Sequence, residues 1–234
     1  MISKKIRVTI VDDHQSIVDG YMFRLQGTPQ VEVVAAIKYG EDIEPGLTAH
    51  PTDVLLLDVN LPTAPDNPAP YPIMYMIPNL LQSHPEMVIL VISMYEKRSL
   101  VRAVMEAGAS GYILKDDSHA VQELGNIITS ITNGGIYLSE KLRQALLKAN
   151  PDEDEVKLST RQMEALSLSA SYPNSTTWEL AKKMGIKNAT VRNLLSGAYL
   201  KLEVNTRAAA IAKGRELGII PSEPPAPTVP IRKK

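Results

Sequence analysis

Short apolar runs recur through the first half of this chain, and four of them stop on a residue that can do chemistry. Ile6–Val11 runs into Asp12 and Asp13, Val54–Leu57 into Asp58, Met87–Ile92 into Ser93, and Gly111–Leu114 into Lys115. β-Branched residues such as Val8, Ile10 and Val11 give the runs the character of buried strands. Val31–Ile37 is a fifth run of the same kind. Between the runs lie stretches of helical period. Ser16–Gln26 repeats Ile17, Tyr21 and Leu25 at fourth positions. Asp42–His50 is a weaker helix, Glu96–Ala107 is closed by Gly108, and Ser118–Thr132 is stopped by Asn133, Gly134 and Gly135. Strands alternating with helices imply parallel βαβ units, covered on both faces. The expected fold is α/β, a doubly wound parallel sheet of five strands. Ligands of such sheets bind just outside the carboxyl ends of the strands, where the acids, Ser93 and Lys115 all fall.

One stretch resists this pattern. Pro62, Pro65, Pro68, Pro70, Pro72, Pro78 and Pro85 crowd the segment after Asp58. An interior proline costs a helix about 3 kcal/mol. The helix here is therefore expected to start after Pro78 or break at it, with Thr63–Pro72 an extended surface loop.

The second half carries helical patterns alone. Ser139–Lys148 is expected as a linker helix and Asn150–Glu155 as a charged hinge. Ser159–Ser169, Thr177–Met184, Ala189–Leu202 and Arg207–Leu217 follow, the second capped by Ser175 or Thr176. A short helix, a turn at Gly185–Asn188 and a longer helix make a helix-turn-helix. The expected divisions are 1–133, a linker at 134–157, a small all-α domain at 158–220, and a disordered Pro-rich tail at 221–234. Charge divides the same way. Residues 1–133 carry 9 Lys+Arg against 16 Asp+Glu, and residues 158–220 carry 9 against 4. An acidic half joined to a basic half points to an anionic partner for the second. There is no cysteine, hence no disulfide or thiol chemistry. The first apolar run ends at Asp12, too short for a signal peptide, and no run approaches the roughly 20 apolar residues of a membrane span. A soluble, cytoplasmic protein is expected.

Asp12, Asp13 and Asp58 offer oxygen ligands, which suits Mg²⁺. Clustered carboxylates raise one another's pKa, and a cation or the ammonium of Lys115 relieves that. Asp58 can then attack phosphorus, with Lys115 neutralising the equatorial oxygens and Ser93 donating to one of them. Taken singly, Asp12 and Asp13 are better read as a helix cap and Asp58 as a loop cap. Three strand ends carrying Asp58, Ser93 and Lys115 together favour the phosphoryl site. His14 is expected as an exposed first-turn residue, and the four histidines share no metal-ligand spacing.

Ile10-Val11-Asp12-Asp13-His14, Leu57-Asp58-Val59-Asn60-Leu61-Pro62, Ile92-Ser93-Met94-Tyr95 and Glu106–Asp116 resemble the response-regulator receiver domain of bacterial two-component systems. Residues 139–220 resemble the linker and LuxR/NarL-type helix-turn-helix that often follow it. The resemblance implies a flavodoxin-like receiver in a phosphorelay, with Asp58 as phosphoacceptor. Asp13, Asp58 and the Asn60 backbone carbonyl would hold Mg²⁺, with Asp12 assisting. Ser93 and Tyr112 would form the switch pair, Tyr112 turning inward, and Lys115 would bridge to the phosphate. A sensor histidine kinase would be the donor. The chain would be no enzyme beyond catalysing its own phosphoryl transfer and hydrolysis. When phosphorylated it would act as a homodimer on double-stranded DNA, and otherwise the receiver would mask the third helix of the second domain.

A helix in the major groove needs donors aimed at bases and cations aimed at phosphates. Arg192, Asn193 and Ser196 share one helix face and are the base-reading candidates. Thr190, Lys182, Lys187, Lys201 and Arg207 are the phosphate candidates. Leu194 stands where the family usually has His, Glu203 where it usually has Gly, and the Pro-rich loop is longer than usual. Leu194 and Glu203, with few cations on the third helix, motivate an alternative: a phosphorylation-dependent protein-interaction module that no longer reads DNA. A haloacid-dehalogenase-type phosphatase would need a second Asp where Asn60 stands.

Overall fold

The computed structural model describes residues 5–147 and 158–221. The expected hinge Asn150–Glu155 and, beyond Pro221, the expected tail lie outside the described residues.

The first half runs β1 (Ile6–Val11), α1 (Gln15–Gln26), β2 (Val31–Ile37), a 3₁₀ turn (Gly40–Asp42), α2 (Ile43–Ala49) and β3 (Val54–Leu57). It continues through β4 (Pro62–Ala64), β5 (Asn67–Pro70), α3 (Ile73–Ser83), β6 (Val88–Ser93), α4 (Arg98–Glu106) and β7 (Gly111–Leu114). Then come α5 (Ser118–Gln122), α6 (Leu124–Thr132), β8 (Tyr137–Leu138) and α7 (Glu140–Leu147). A parallel sheet forms in the order β2-β1-β3-β6-β7-β8. Alternate residues of each strand serve opposite faces. Leu55, Leu57 and Val91 pack with Ile73, Ile77 and Leu100 of α3 and α4. Val54, Leu56 and Leu90 pack with Val18, Leu25 and Ile128 of α1 and α6.

Four details depart from the sequence reading. The sheet has a sixth strand, β8, two residues at the edge beside β7 and too short to leave a periodic signature. The expected helix Ser118–Thr132 is divided into α5 and α6 at Glu123. The expected loop Thr63–Pro72 is a hairpin, β4 against β5. Its prolines cannot donate to a ladder, so other bonds hold it: Thr63 Oγ1 to the Ala69 carbonyl at 2.7 Å, and Tyr71 N–H to the Leu61 carbonyl at 2.7 Å. Finally, α3 runs unbroken through Pro78. Pro78 is exposed, while Ile73, Ile77 and Leu80 are at most 1% exposed. Burying a side chain of that size contributes about 1.5–3 kcal/mol, so three of them outweigh the roughly 3 kcal/mol cost of one proline.

In the second half, α8 (Thr160–Ser171), α9 (Thr177–Lys183), α10 (Asn188–Lys201) and α11 (Arg207–Glu216) pack around two small cores. Ser159 caps α8 in a reciprocal box with Gln162, and Thr176, of the two candidates, caps α9 in a box with Glu179. Gly185 makes the turn into α10 with φ +62. Every residue of α8 from Glu164 to Ser171 is buried, because one side faces this core and the other faces β5 and α3. Among the described residues no helix is long and apolar enough to cross a membrane.

Candidate phosphoryl-acceptor site and helix-turn-helix

Parallel register brings the strand ends together. Val11 lies opposite Leu57, and Ser93 opposite Leu114. One residue further, Asp58 N–H bonds the Val11 carbonyl and Lys115 N–H the Ser93 carbonyl, each at 2.9 Å. The order of the sheet reverses around β1, so Asp12 and Asp58 flank its switch point.

Lys115 Nζ lies 2.6 Å from Asp12 Oδ2 and 2.7 Å from Asp58 Oδ2. All three side chains are at most 8% exposed. Asp12 Oδ1 accepts from His14 N–H at 2.9 Å and Asp58 Oδ1 from Asn60 N–H at 3.1 Å. Two carboxylates thus share one ammonium. Burial pushes the Asp58 carboxyl above its ordinary value, against the pull of Lys115, and Asp12 adds to the rise. Burial opposes the charge on Lys115, but Asp58 and Asp12 outweigh it and hold the ammonium above the usual lysine value.

Ligand atoms of Asp12, Asp13 and His14 all lie within 4.8 Å of one another. His14 is the residue preceding α1, half exposed, with Nδ1 2.8 Å from Asp13 Oδ1. The oxygens of Asp12, Asp13 and Asp58 suit a hard divalent ion, and Asn60 Oδ1 is buried with no hydrogen-bond partner. The donor set therefore fits Mg²⁺.

Ser93 and Tyr112 are fully buried. The Tyr112 hydroxyl donates to the Tyr95 carbonyl at 2.7 Å and also hydrogen-bonds Ser93. Burial, the largest influence, drives its pKa up, and Ser93 opposes that. The Tyr95 carbonyl as its partner was not legible in the sequence, since a backbone acceptor leaves no signature.

In α10, Val191, Leu195 and Ala198 face the core, leaving Thr190, Arg192, Asn193 and Ser196 exposed. Arg192, Asn193 and Ser196 thus lie together on the outer face. The expected masking of this helix by the receiver is not the arrangement found. Lys182, Lys187 and Lys201 are exposed, and Lys182 Nζ sits 3.8 Å from the centre of the Trp178 ring. Leu194 is half-buried against the second core. Glu203 adopts φ +57, the conformation for which glycine is favoured.

Arg207 requires a correction. Its guanidinium donates to the carbonyls of Ser175, Tyr172 and Ser169 at 2.6, 2.9 and 3.1 Å. It therefore ties the end of α8 and the following loop to α11, and is not a free phosphate contact. Arg207→Ala is expected to destabilise the protein by about 1.5–3 kcal/mol, the range for hydrogen bonds to a charged group. Thermal melting checks this; an unchanged Tm with weaker DNA binding would return Arg207 to the DNA-facing set.

A family model described as the response regulator receiver domain matches residues 8–126. The transcriptional regulatory protein DegU of Brevibacillus brevis is 30% identical, covering 92% of this chain and 94% of its own. The transcriptional regulatory protein DesR of Bacillus subtilis (strain 168) is 29% identical, over 91% of this chain and 98% of its own. Among solved structures, RcsB from Salmonella enterica serovar Typhimurium, bound to promoter rprA in the presence of phosphomimetic BeF3−, shares the fold. Its TM-score is 0.56 at 22% identity, covering 89% of this chain and 98% of that one.

Proposed function

This chain belongs to the response regulator receiver family, and from that premise we propose that it is a cytoplasmic two-component transcription regulator, phosphorylated on Asp58 and acting on DNA. The observation that carries the reading is the shared Lys115 contact to Asp12 and Asp58 at the switch point of the sheet. The donor is a phosphohistidine of a sensor kinase. An Asp58 oxygen forms the new P–O bond, the P–N bond breaks, and the released imidazole takes a proton. Asp12, Asp13, Asp58 and the Asn60 carbonyl would hold Mg²⁺, which supplies charge neutralisation when bound. Lys115 neutralises the incoming oxygens and Ser93 donates a hydrogen bond to one of them. Apart from this transfer and its hydrolysis the chain has no catalytic role.

DNA reading is assigned to Arg192, Asn193 and Ser196, with Thr190, Lys182, Lys187 and Lys201 on phosphates. The exposure of the first three on α10 supports it. Relatives named as transcriptional regulators support it too. A homodimer on double-stranded DNA fits the few cations of α10, since two copies double the phosphate contacts.

The test is salt-dependent binding of the phosphorylated protein to fragments selected from random DNA. Affinity is expected to fall linearly with salt on logarithmic axes. Arg192→Ala is expected to weaken binding by about 1–3 kcal/mol and relax preference at one base pair. Lys182→Ala is expected to lower the salt slope by about one with selectivity kept. Absent binding, or binding without a salt slope, would favour the protein-interaction module that Leu194 and Glu203 motivate.

A further inference from the structure

Trp178 is the one tryptophan of the chain, and it does not serve the core. It stands in the first turn of α9, 55% exposed. Leu180, Ala181 and Met184 of the same stretch are buried with Val191 and Leu195 of α10. Residues four apart share one side of a helix, and Lys182 follows Trp178 by four. The Lys182 ammonium lies over the face of the indole, 3.8 Å from the ring centre. Of the aromatic side chains, tryptophan holds a cation best in this way.

Glu179, the acid of the same turn, is engaged elsewhere. Its carboxylate accepts from Thr176 N–H at 2.7 Å and from Thr176 Oγ1 at 3.0 Å, in the box that caps the helix. The indole thus sets the direction of Lys182 while the exposed ammonium keeps its charge for an anion outside the protein.

α9 carries a second pair of this kind, with a different setting. Lys183 Nζ lies 3.7 Å from the centre of the Tyr172 ring. The Tyr172 hydroxyl donates to Glu41 Oε1 at 2.9 Å, which ties that pair to the first half of the chain. Trp178 and Lys182, one turn apart, are both exposed.

In a helix-turn-helix the second helix enters the major groove and the first crosses the DNA backbone. α9 is the first helix here. A flexible lysine loses rotamer freedom when a phosphate fixes it. Lys182 has already lost much of that freedom on the indole, so the contact is prepared before DNA arrives.

We propose that Trp178 is a positioning residue for the DNA backbone: it seats Lys182 for one phosphate beside the groove that α10 reads. Lys183, seated on Tyr172, takes no part. The inference rests on the second half being a DNA-binding domain.

Full-length protein treated with acetyl phosphate is titrated with a duplex recovered by selection on random DNA. Tryptophan emission, which comes from Trp178 alone, is followed with and without acrylamide as quencher. Emission is expected to change on binding and the indole to become shielded from acrylamide, both reversing as salt releases the DNA. By anisotropy of labelled DNA, Trp178→Leu is expected to weaken binding about two- to five-fold, the equivalent of one exposed cation–π contact. Trp178→Phe is expected to recover most of that loss. In a Lys182→Ala background, Trp178→Leu is expected to have no further effect, and Lys183→Ala alone to bind as wild type. All three positions are exposed, so the fold is kept, which circular dichroism checks. DNA binding with emission and quenching unchanged, full affinity of Trp178→Leu, or a Trp178→Leu loss that persists without Lys182 overturns the role of Trp178 and leaves DNA binding standing. So does a Lys183→Ala loss equal to that of Lys182→Ala. No salt-dependent binding to any duplex overturns the DNA reading beneath it.

Discussion

Incubated with acetyl phosphate and Mg²⁺, the Asp58→Asn variant is expected to take up no phosphoryl label under conditions that label the wild type fully. An amide has no carboxylate oxygen to form the acyl phosphate, and covalent transfer depends on that nucleophile. The substitution keeps the shape of the site. The Asn carbonyl oxygen still accepts from Asn60 N–H or Lys115, so a folding defect does not mimic the loss. It also removes one of two buried carboxylates that face a single ammonium. The metal-free variant is therefore expected to melt no lower than wild type. Asp12 and Asp13 follow β1, whereas Asp58 follows β3, the strand flanked by β1 and β6. Labelling of the variant at the wild-type level would sink the assignment of Asp58.

The strand ends were legible because the apolar runs are long and buried on both faces, and parallel pairing then fixes which termini meet. Asp12, Asp58, Ser93 and Lys115 needed nothing more. The hairpin was not legible, because its four prolines signal an absence of regular donors and say nothing of side-chain bonds such as Thr63 to Ala69. α3 hid for a related reason. Helix propensity is summed locally, whereas the burial of Ile73, Ile77 and Leu80 that offsets Pro78 depends on the sheet beneath. Arg207 misled because an arginine near a recognition helix carries the same sequence signal whether it meets phosphate or three backbone carbonyls. Glu203 was noticed as a departure from glycine, but only the φ of +57 gives that departure a physical meaning. A left-handed residue with a side chain costs about 1–2 kcal/mol, which this domain carries at the end of α10.

Lys115→Met is expected to produce the largest loss of stability of any single change in the site. Methionine keeps most of the stem volume, so packing is largely conserved. The charge is not. Asp12 and Asp58, 2% and 5% exposed, are left facing each other without a cation. Removing one partner of a buried ion pair costs about 3–5 kcal/mol, which in a chain of this size is a fall of roughly 6–20 °C in Tm. The pH dependence has a definite sign. The Asp58 carboxyl is already held above its ordinary value, so the folded state binds that proton more readily than the unfolded state. Stability from this group is present at low pH and is lost as pH rises through the folded pKa. Without Lys115, which now pulls that pKa down, the window moves upward and the deficit at neutral pH deepens. Mg²⁺ is expected to restore part of the loss, because it binds the folded carboxylate cluster and not the unfolded chain. Adding Asp58→Asn to Lys115→Met is expected to restore stability in metal-free buffer, since only one buried carboxylate then remains. Urea melts of the two single variants and the double variant, with and without Mg²⁺, measure the coupling directly. Strictly additive effects, or a Lys115→Met protein as stable as wild type, would mean that the ammonium is not the counter-charge on which this acidic site depends.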